Sequence, residues 1–492
     1  GLFSWIPQVD WTSALPATRH FLASYPLIDP GQQIGAANLS LLCLLLAFIP
    51  MAFAAQLGTR SVREYLLPHQ NRGVFWAIFL VTCLFAVTFL FLPAFNTREE
   101  LVYAGYGRLV TVHHLNPYVA KITDLPSELL YPILSQNPQV QLPVGPVWMD
   151  LCIPISLLAH ESVGNFMLSF RMMGLLAHLG NTLLIWYILS KLKPLARISG
   201  TILYAWNPLI LLLGISEMHV EIFVTLLVLL GIFFFQHRSP SLGWIFLLLA
   251  CMVNLFCLLL LPLFLYQMGK AAQEMHYGLR VLWVLGVAFI TVLVVGLAYA
   301  PYWQMWGLAG LADQFQAVFW QHSLINSLDA TLQYMPVKLP GVIFWLVAPQ
   351  HWMLLAGVVC GLVLLFTLWL GDTLDLAVLF SSWLWLALLI FLPIYWPWYA
   401  LLPLALAIAS GEKRTIQLAM LLGLGALVAY YCWLWPNPWK GQALATVGLP
   451  LLLWGWVVFF NSTFQMTATR ETEQRAPRTP QLRTSSWPHR VR

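Results

Sequence analysis

The chain has 492 residues, 60% of them hydrophobic and 9% charged, with a formal net charge of +5. A soluble domain carries about 25% charged residues, so this composition excludes a water-soluble enzyme and suits lipid. Backbone groups in lipid must be satisfied internally, by helices or closed barrels, and long apolar runs without period-two alternation select helices.

The predicted class is therefore an all-α polytopic membrane protein with about 11–13 transmembrane helices. Residues 1–35 read as an interfacial segment. They are proline-containing and unlike a signal peptide, and Trp5, Trp11 and Tyr25 suit a membrane–water boundary. Residues 36–465 form the membrane domain. Its spans are predicted near 36–57, 74–95, 145–160, 164–190, 198–214, 219–236, 243–266, 280–300, 352–370, 375–394, 397–410, 415–435 and 447–464. Two long stretches, 96–144 and 301–350, do not span. Residues 466–492 are basic and rich in Ser, Thr, Pro and Gln, and are expected to be a disordered cytoplasmic tail. The net positive charge comes from loops and this tail, and implies no nucleic-acid partner. Seven cysteines lie scattered in apolar runs without a CxxC pair, as buried small hydrophobes.

Lys and Arg set the orientation. A cytoplasmic tail puts Lys413, Arg414, Lys270, Arg280, Arg60, Arg63 and Arg72 on the inner side, so both long loops and Tyr395–Tyr399 lie outside. Lys191, Lys193 and Arg197 then fall on the outer side. Either a segment between 145 and 236 is re-entrant or this cluster is an exception.

The first outer loop opens with Thr97-Arg98-Glu99-Glu100, a capping-box pattern that gives Glu100 a structural duty. Glu99 has none, and a carboxylate near a helix N-terminus can accept a proton. Arg108 reads either as an interfacial cation or as a bidentate phosphate clamp. Asn116-Pro117-Tyr118 is a turn signal. The adjacent His113 and His114 do not converge as metal ligands. Asn207-Pro208 should break a helix. Glu217, His219 and Glu221 follow at apparent membrane depth, where ionisable groups usually face a cavity or a partner; the plainer reading is a polar turn between spans. His219-Val220-Glu221 is not an HExxH motif. Arg171 and His178, seven apart, share one helix face. Tyr395, Trp396, Trp398 and Tyr399 cluster around Pro397 as an interfacial belt or a binding platform.

Four stretches in order resemble the GT-C membrane glycosyltransferases that use polyprenyl-phosphate sugars, above all the bacterial polyprenol-phosphate-mannose-dependent mannosyltransferases. They are Glu99, Tyr103, Gly107-Arg108 and Asn116-Pro117-Tyr118; Pro143-Val144-Gly145-Pro146-Val147; Asn207-Pro208-Leu209 with His219-Val220-Glu221; and Pro397-Trp398-Tyr399. The GPI mannosyltransferase catalytic subunit is more faintly similar. This chain has Glu where the family's loop acid is usually Asp, His-Val-Glu in place of His-Asn-Asp, and Val144 before Gly-Pro in place of Tyr.

The resemblance implies a GT-C fold with short interfacial helices in the first outer loop, in a bacterial inner (plasma) membrane with the active site on the outer face. It implies inverting transfer of a sugar, mannose among the candidates, from a polyprenyl-phosphate donor to a glycan, lipid or protein acceptor. Glu99, then Glu100, are the candidate bases. Tyr103, Arg108, Asn116, Tyr118, Asn207, His219, Glu221, Trp398 and Tyr399 are the candidate substrate-binding residues. Neither a cofactor nor a metal is expected, since there is no DxD element. Two other readings stay open: a lipid or sugar transporter or flippase with broken helices, and a degenerate GT-C-like subunit.

Overall fold

The computed structural model describes residues 34–64, 71–92, 99–134, 144–159, 161–273, 275–302, 324–334, 340–342, 345, 349–371, 373–391, 395–432 and 441–459. Nearly all of the predicted N-terminal segment, the tail 466–492, Thr97, Arg98, Pro143 and much of 301–350 lie outside the described residues.

Among the described residues there are helices and no strands, the architecture of an all-α polytopic membrane protein. In chain order they are α1 (Ile34–Glu64), α2 (Asn71–Leu90), α3 (Glu99–Thr111), α4 (Pro146–Ala159), α5 (Val163–Leu192), α6 (Arg197–Ala205) and α7 (Pro208–Leu211), which runs into a π-helical turn, Leu212–Ser216. Next come α8 (Glu221–Gln236), α9 (Pro240–Cys251), α10 (Leu261–Gln273, entered through a 3-10 turn, Leu255–Leu260), α11 (Tyr277–Tyr299), α12 (Leu324–Tyr334) and α13 (Pro349–Leu370). The last are α14 (Leu374–Phe391), α15 (Leu401–Ser410, entered through Pro397–Ala400), α16 (Lys413–Cys432) and α17 (Leu444–Phe459). Among the described residues, six helices are long and apolar enough to cross a membrane, seven if the bent pair 194–205 and 208–216 is one span. Every residue of α15 is buried, so it is the core around which α5, α6, α8, α14 and α16 pack.

Helix breaks occur where the backbone chemistry requires them. Pro208 has no N–H, so α6 cannot continue through it. The Asn207 side chain accepts from the Leu209 N–H at 3.0 Å to start a new helix, and the two pieces bend by 45°. The stretch 243–266, one span by hydropathy, is two helices. Asn254 accepts from the Phe256 N–H at 3.0 Å and caps the second. The Gly145 N–H donates to the Val253 carbonyl at 2.9 Å at this turn. A Cβ on Gly145 would lie 1.9 Å from the Met252 oxygen, so only glycine permits that approach.

At about 1.5 Å per residue, the 14 residues of α4 reach roughly 21 Å, short of a ~30 Å hydrocarbon core. α4 lies alongside α3 in the same direction: Tyr103 packs on Trp148, Gly107 on Cys152, and Thr111 hydrogen-bonds Ser156 at 2.9 Å. With α4 beside α3 and not crossing, the charge conflict disappears. Lys193 pairs with Asp375 at 3.4 Å and touches Gly411, two residues before Lys413. The Lys191–Arg197 cluster thus shares a face with Lys413 and Arg414.

Candidate active site

The far face gathers the turns. Arg171 of α5 lies twenty residues, about 30 Å, from Lys191. Its Nε donates to Glu100 Oε1 at 2.7 Å, and Nη1 donates to the Leu90 and Leu92 carbonyls at 3.1 and 2.6 Å. Both ion-pair partners are buried. Glu100 thus locks the start of α3 onto α5 and the end of α2. Burial pushes its carboxyl up to about 7 against the pull of Arg171.

Glu99, one residue earlier, is only partly buried and has no cationic partner among the described ion pairs. Burial pushes its carboxyl up to about 7, and a hydrogen bond with the Tyr103 hydroxyl acts the other way. Tyr106, Glu221 and Tyr399 lie within electrostatic reach of Glu99.

The second wall is the turn after the π-helical segment. Met218 takes φ +45°, a strained value for a non-glycine residue, and turns the chain so that His219 and Glu221 point to one side. The His219 ring stacks on Trp398 with centroids 3.9 Å apart, and Trp398 stacks on Trp396 at 4.9 Å. His219 is 1% exposed, and among the described residues neither of its ring nitrogens has a hydrogen-bond partner, nor does Glu221 Oε2. Buried polar atoms are normally paired; these are free to serve a polar ligand.

One face of α5 holds this turn. Arg171, Gly174, His178 and Asn181 recur at three- and four-residue spacing. His178 meets the Ala205 carbonyl at 3.1 Å, and Asn181 donates to the Ile222 carbonyl at 3.0 Å.

Other candidate residues bond to the chain itself. Arg108 binds Glu128 through Nε and Nη2, and His113 meets the same carboxylate at 2.5 Å. Arg108 and His113 together hold the Glu128 carboxyl below its usual range against the opposing effect of burial. Asn116 accepts from the Tyr118 N–H at 3.0 Å and donates to the Tyr302 carbonyl. The Tyr118 hydroxyl donates to the Val144 carbonyl at 3.1 Å. Asn207 is the cap described above. The structure therefore brings together Glu99, Tyr103, His219, Glu221, Trp398 and Tyr399, and engages Arg108, Asn116, Tyr118 and Asn207 in hydrogen bonds with other parts of the chain. Glu128 and Asp150, which accepts from the Tyr302 hydroxyl at 2.7 Å, were not singled out in the sequence. No motif marks them, because their partners are remote in the chain.

A helical bundle whose broken helices bring acid–base groups to one face belongs to the class of polytopic membrane proteins that includes the membrane glycosyltransferases. Residues 11–270 match the family described as MptA_B, alpha-(1->6)-mannopyranosyltransferase, N-terminal domain, and the chain belongs to that GT-C-type mannosyltransferase family. Membership makes it a glycosyltransferase. No curated protein matches the chain. Trp396 and Trp398 come from beyond the matched residues, yet they stack in series on the His219 ring.

Proposed function

We propose that the protein transfers a mannosyl group from a polyprenyl-phosphate donor to a sugar hydroxyl, with inversion, at the face carrying Glu99. The observation that carries this reading is the convergence of Glu99, Tyr103, His219, Glu221, Trp398 and Tyr399 from three separate stretches of chain. Glu99 takes the proton of the acceptor hydroxyl as its oxygen bonds to the anomeric carbon. The bond from that carbon to the phosphate oxygen breaks on the opposite side, and prenyl phosphate departs. Because the leaving group is already an anion, one carboxylate suffices, unlike the pair in glycosidases. Inversion at a β-linked donor gives an α-linked product, the linkage in the family's description.

His219 and Glu221 hydrogen-bond the sugar, with Trp398 holding the imidazole in place. Glu100 stays with Arg171 as a structural pair. Arg108 anchors the loop and reaches a phosphate only by exchanging Glu128 for it. By the distribution of Lys and Arg, the Glu99 face is the outer one.

The test is mannosyl transfer by purified, reconstituted protein from polyprenyl-phosphate mannose to an α-mannoside. Glu99→Gln is expected to lower turnover by about 10²–10⁴ while leaving the fold intact. Full activity in that variant would sink the assignment of the base, and full activity in Glu99→Gln, His219→Ala and Glu221→Gln together would sink the site.

A further inference from the structure

We propose that the face opposite the transfer site carries a binding site for one anionic phospholipid, centred on Arg197 where α1, α2, α5 and α6 meet. The guanidinium carbon of Arg197 lies 4.5 Å from the centroid of the Trp186 ring. Trp186 is itself buried and packs on Phe75 of α2 at 4.9 Å. The ring holds the guanidinium by cation–π attraction, and Arg197 has no carboxylate partner among the described ion pairs.

A second cation shares the corner. Gly58 lets α1 close on α6, since a Cβ there would come within 2.7 Å of Ile198 Cγ2. Phe75 brings the start of α2 against Trp186, one turn from the exposed Arg72. The contrast lies across the same connection, where Lys193 is neutralised by Asp375. Charge complementarity therefore asks for an anion at the Arg197 corner and not at Lys193. Trp76, Tyr187 and Leu195 are exposed large apolar side chains on the same elements, and an anion with acyl chains covers both surfaces at once. A guanidinium presents a planar donor fork that matches a phosphate.

Cations at this face also act as topology signals, but such residues are ordinarily exposed, whereas Arg197 is half-buried and stacked. The proposed donor's prenyl phosphate is a different ligand, since the Glu99 site lies about 30 Å away along α5. The inference does not depend on the transfer reaction.

Native mass spectrometry of the full chain in detergent, titrated with phosphatidylglycerol and separately with phosphatidylcholine, tests the site. Wild type is expected to retain one phosphatidylglycerol in preference to phosphatidylcholine. Arg197→Gln should lower that retention about tenfold, and Arg72→Gln, an exposed change that leaves packing alone, a few-fold. Arg238→Gln, an exposed cation of the same face at the α8–α9 turn, should leave it unchanged. Wild-type retention in both Arg197→Gln and Arg72→Gln overturns the proposal, and so does an equal loss in Arg238→Gln. If Arg197→Gln does not yield folded protein, the Arg72→Gln and Arg238→Gln pair decides.

Discussion

Glu99 and Glu100 are adjacent in sequence and have different duties, because α3 turns their side chains in different directions. Glu100 meets Arg171, 71 residues away, in a buried pair. Removing one partner of a buried pair costs about 3–5 kcal/mol. Glu100→Gln should therefore lower the thermal unfolding midpoint in detergent, and adding Arg171→Met should recover part of the loss. A Glu100→Gln protein as stable as wild type would contradict this pairing. Glu99 should instead set the pH profile. Its raised carboxyl, at about 7, must be ionised to accept a proton, so the active form is lost as pH falls. kcat/KM is expected to rise through pH 7, with a tenfold slope per unit on the acid side, and to level above it. The residual activity of Glu99→Gln should lack that limb. In the sequence, Glu99 and Glu100 were legible as acids at a helix start, with the capping box pointing to a duty for Glu100. Thr97, the capping partner, lies outside the described residues; the partner the structure shows for Glu100 is Arg171, which no local pattern connects to residue 100.

The element that places His219 and Glu221 is the broken stretch from Asn207 to Glu221. Its break was legible in the sequence because proline lacks a donor. The π-helical turn and the strained Met218 were not, because they are imposed by packing against α5. Gly174 shows how close that packing is: a Cβ there would lie 2.3 Å from the Gly214 carbonyl oxygen and 2.6 Å from the Met218 sulfur. Gly174→Ala should therefore push the turn off α5 at about 1–3 kcal/mol, the usual range for overpacking. It should also raise KM or lower kcat by moving His219 and Glu221, which it does not touch. A Gly174→Ala enzyme with wild-type kinetics would show that the turn is held by other means. The same contrast explains α9 and α10. Hydropathy sees one apolar run, because Asn254 is a single polar residue, and only its capping geometry and the docking of Gly145 show that the run is two helices.

At the scale of the whole molecule, two local revisions change which face is which. Hydropathy makes 145–160 a span and 243–266 one span. With α4 lying beside α3 and the second stretch divided, the long and short apolar helices alternate so that Arg60, Arg72, Lys191, Lys193, Arg238, Lys270, Arg280, Lys413 and Arg414 collect at one face. Glu99, His219, Asn254, Trp398 and Tyr302 collect at the other. The sequence could not supply this, because α4 is as apolar as a span and is distinguished only by its length and by its in-register packing on α3. The short helices also account for the buried turns. α8 and α9, at about 24 and 18 Å, are shorter than a ~30 Å core, so the turns at their ends opposite the cation-rich face fall short of a full crossing. Cysteine labelling separates the two arrangements. Leu115 and Leu195 are both exposed, and α4 and α5 lie between them in sequence. If α5 alone crosses, Leu115→Cys and Leu195→Cys react with an impermeant maleimide from opposite sides of sealed vesicles, with Leu195→Cys on the side that also labels a cysteine placed at Arg238. If α4 crosses as well, the two react from the same side, and Lys193 could not stand beside Asp375 at the face of Lys413.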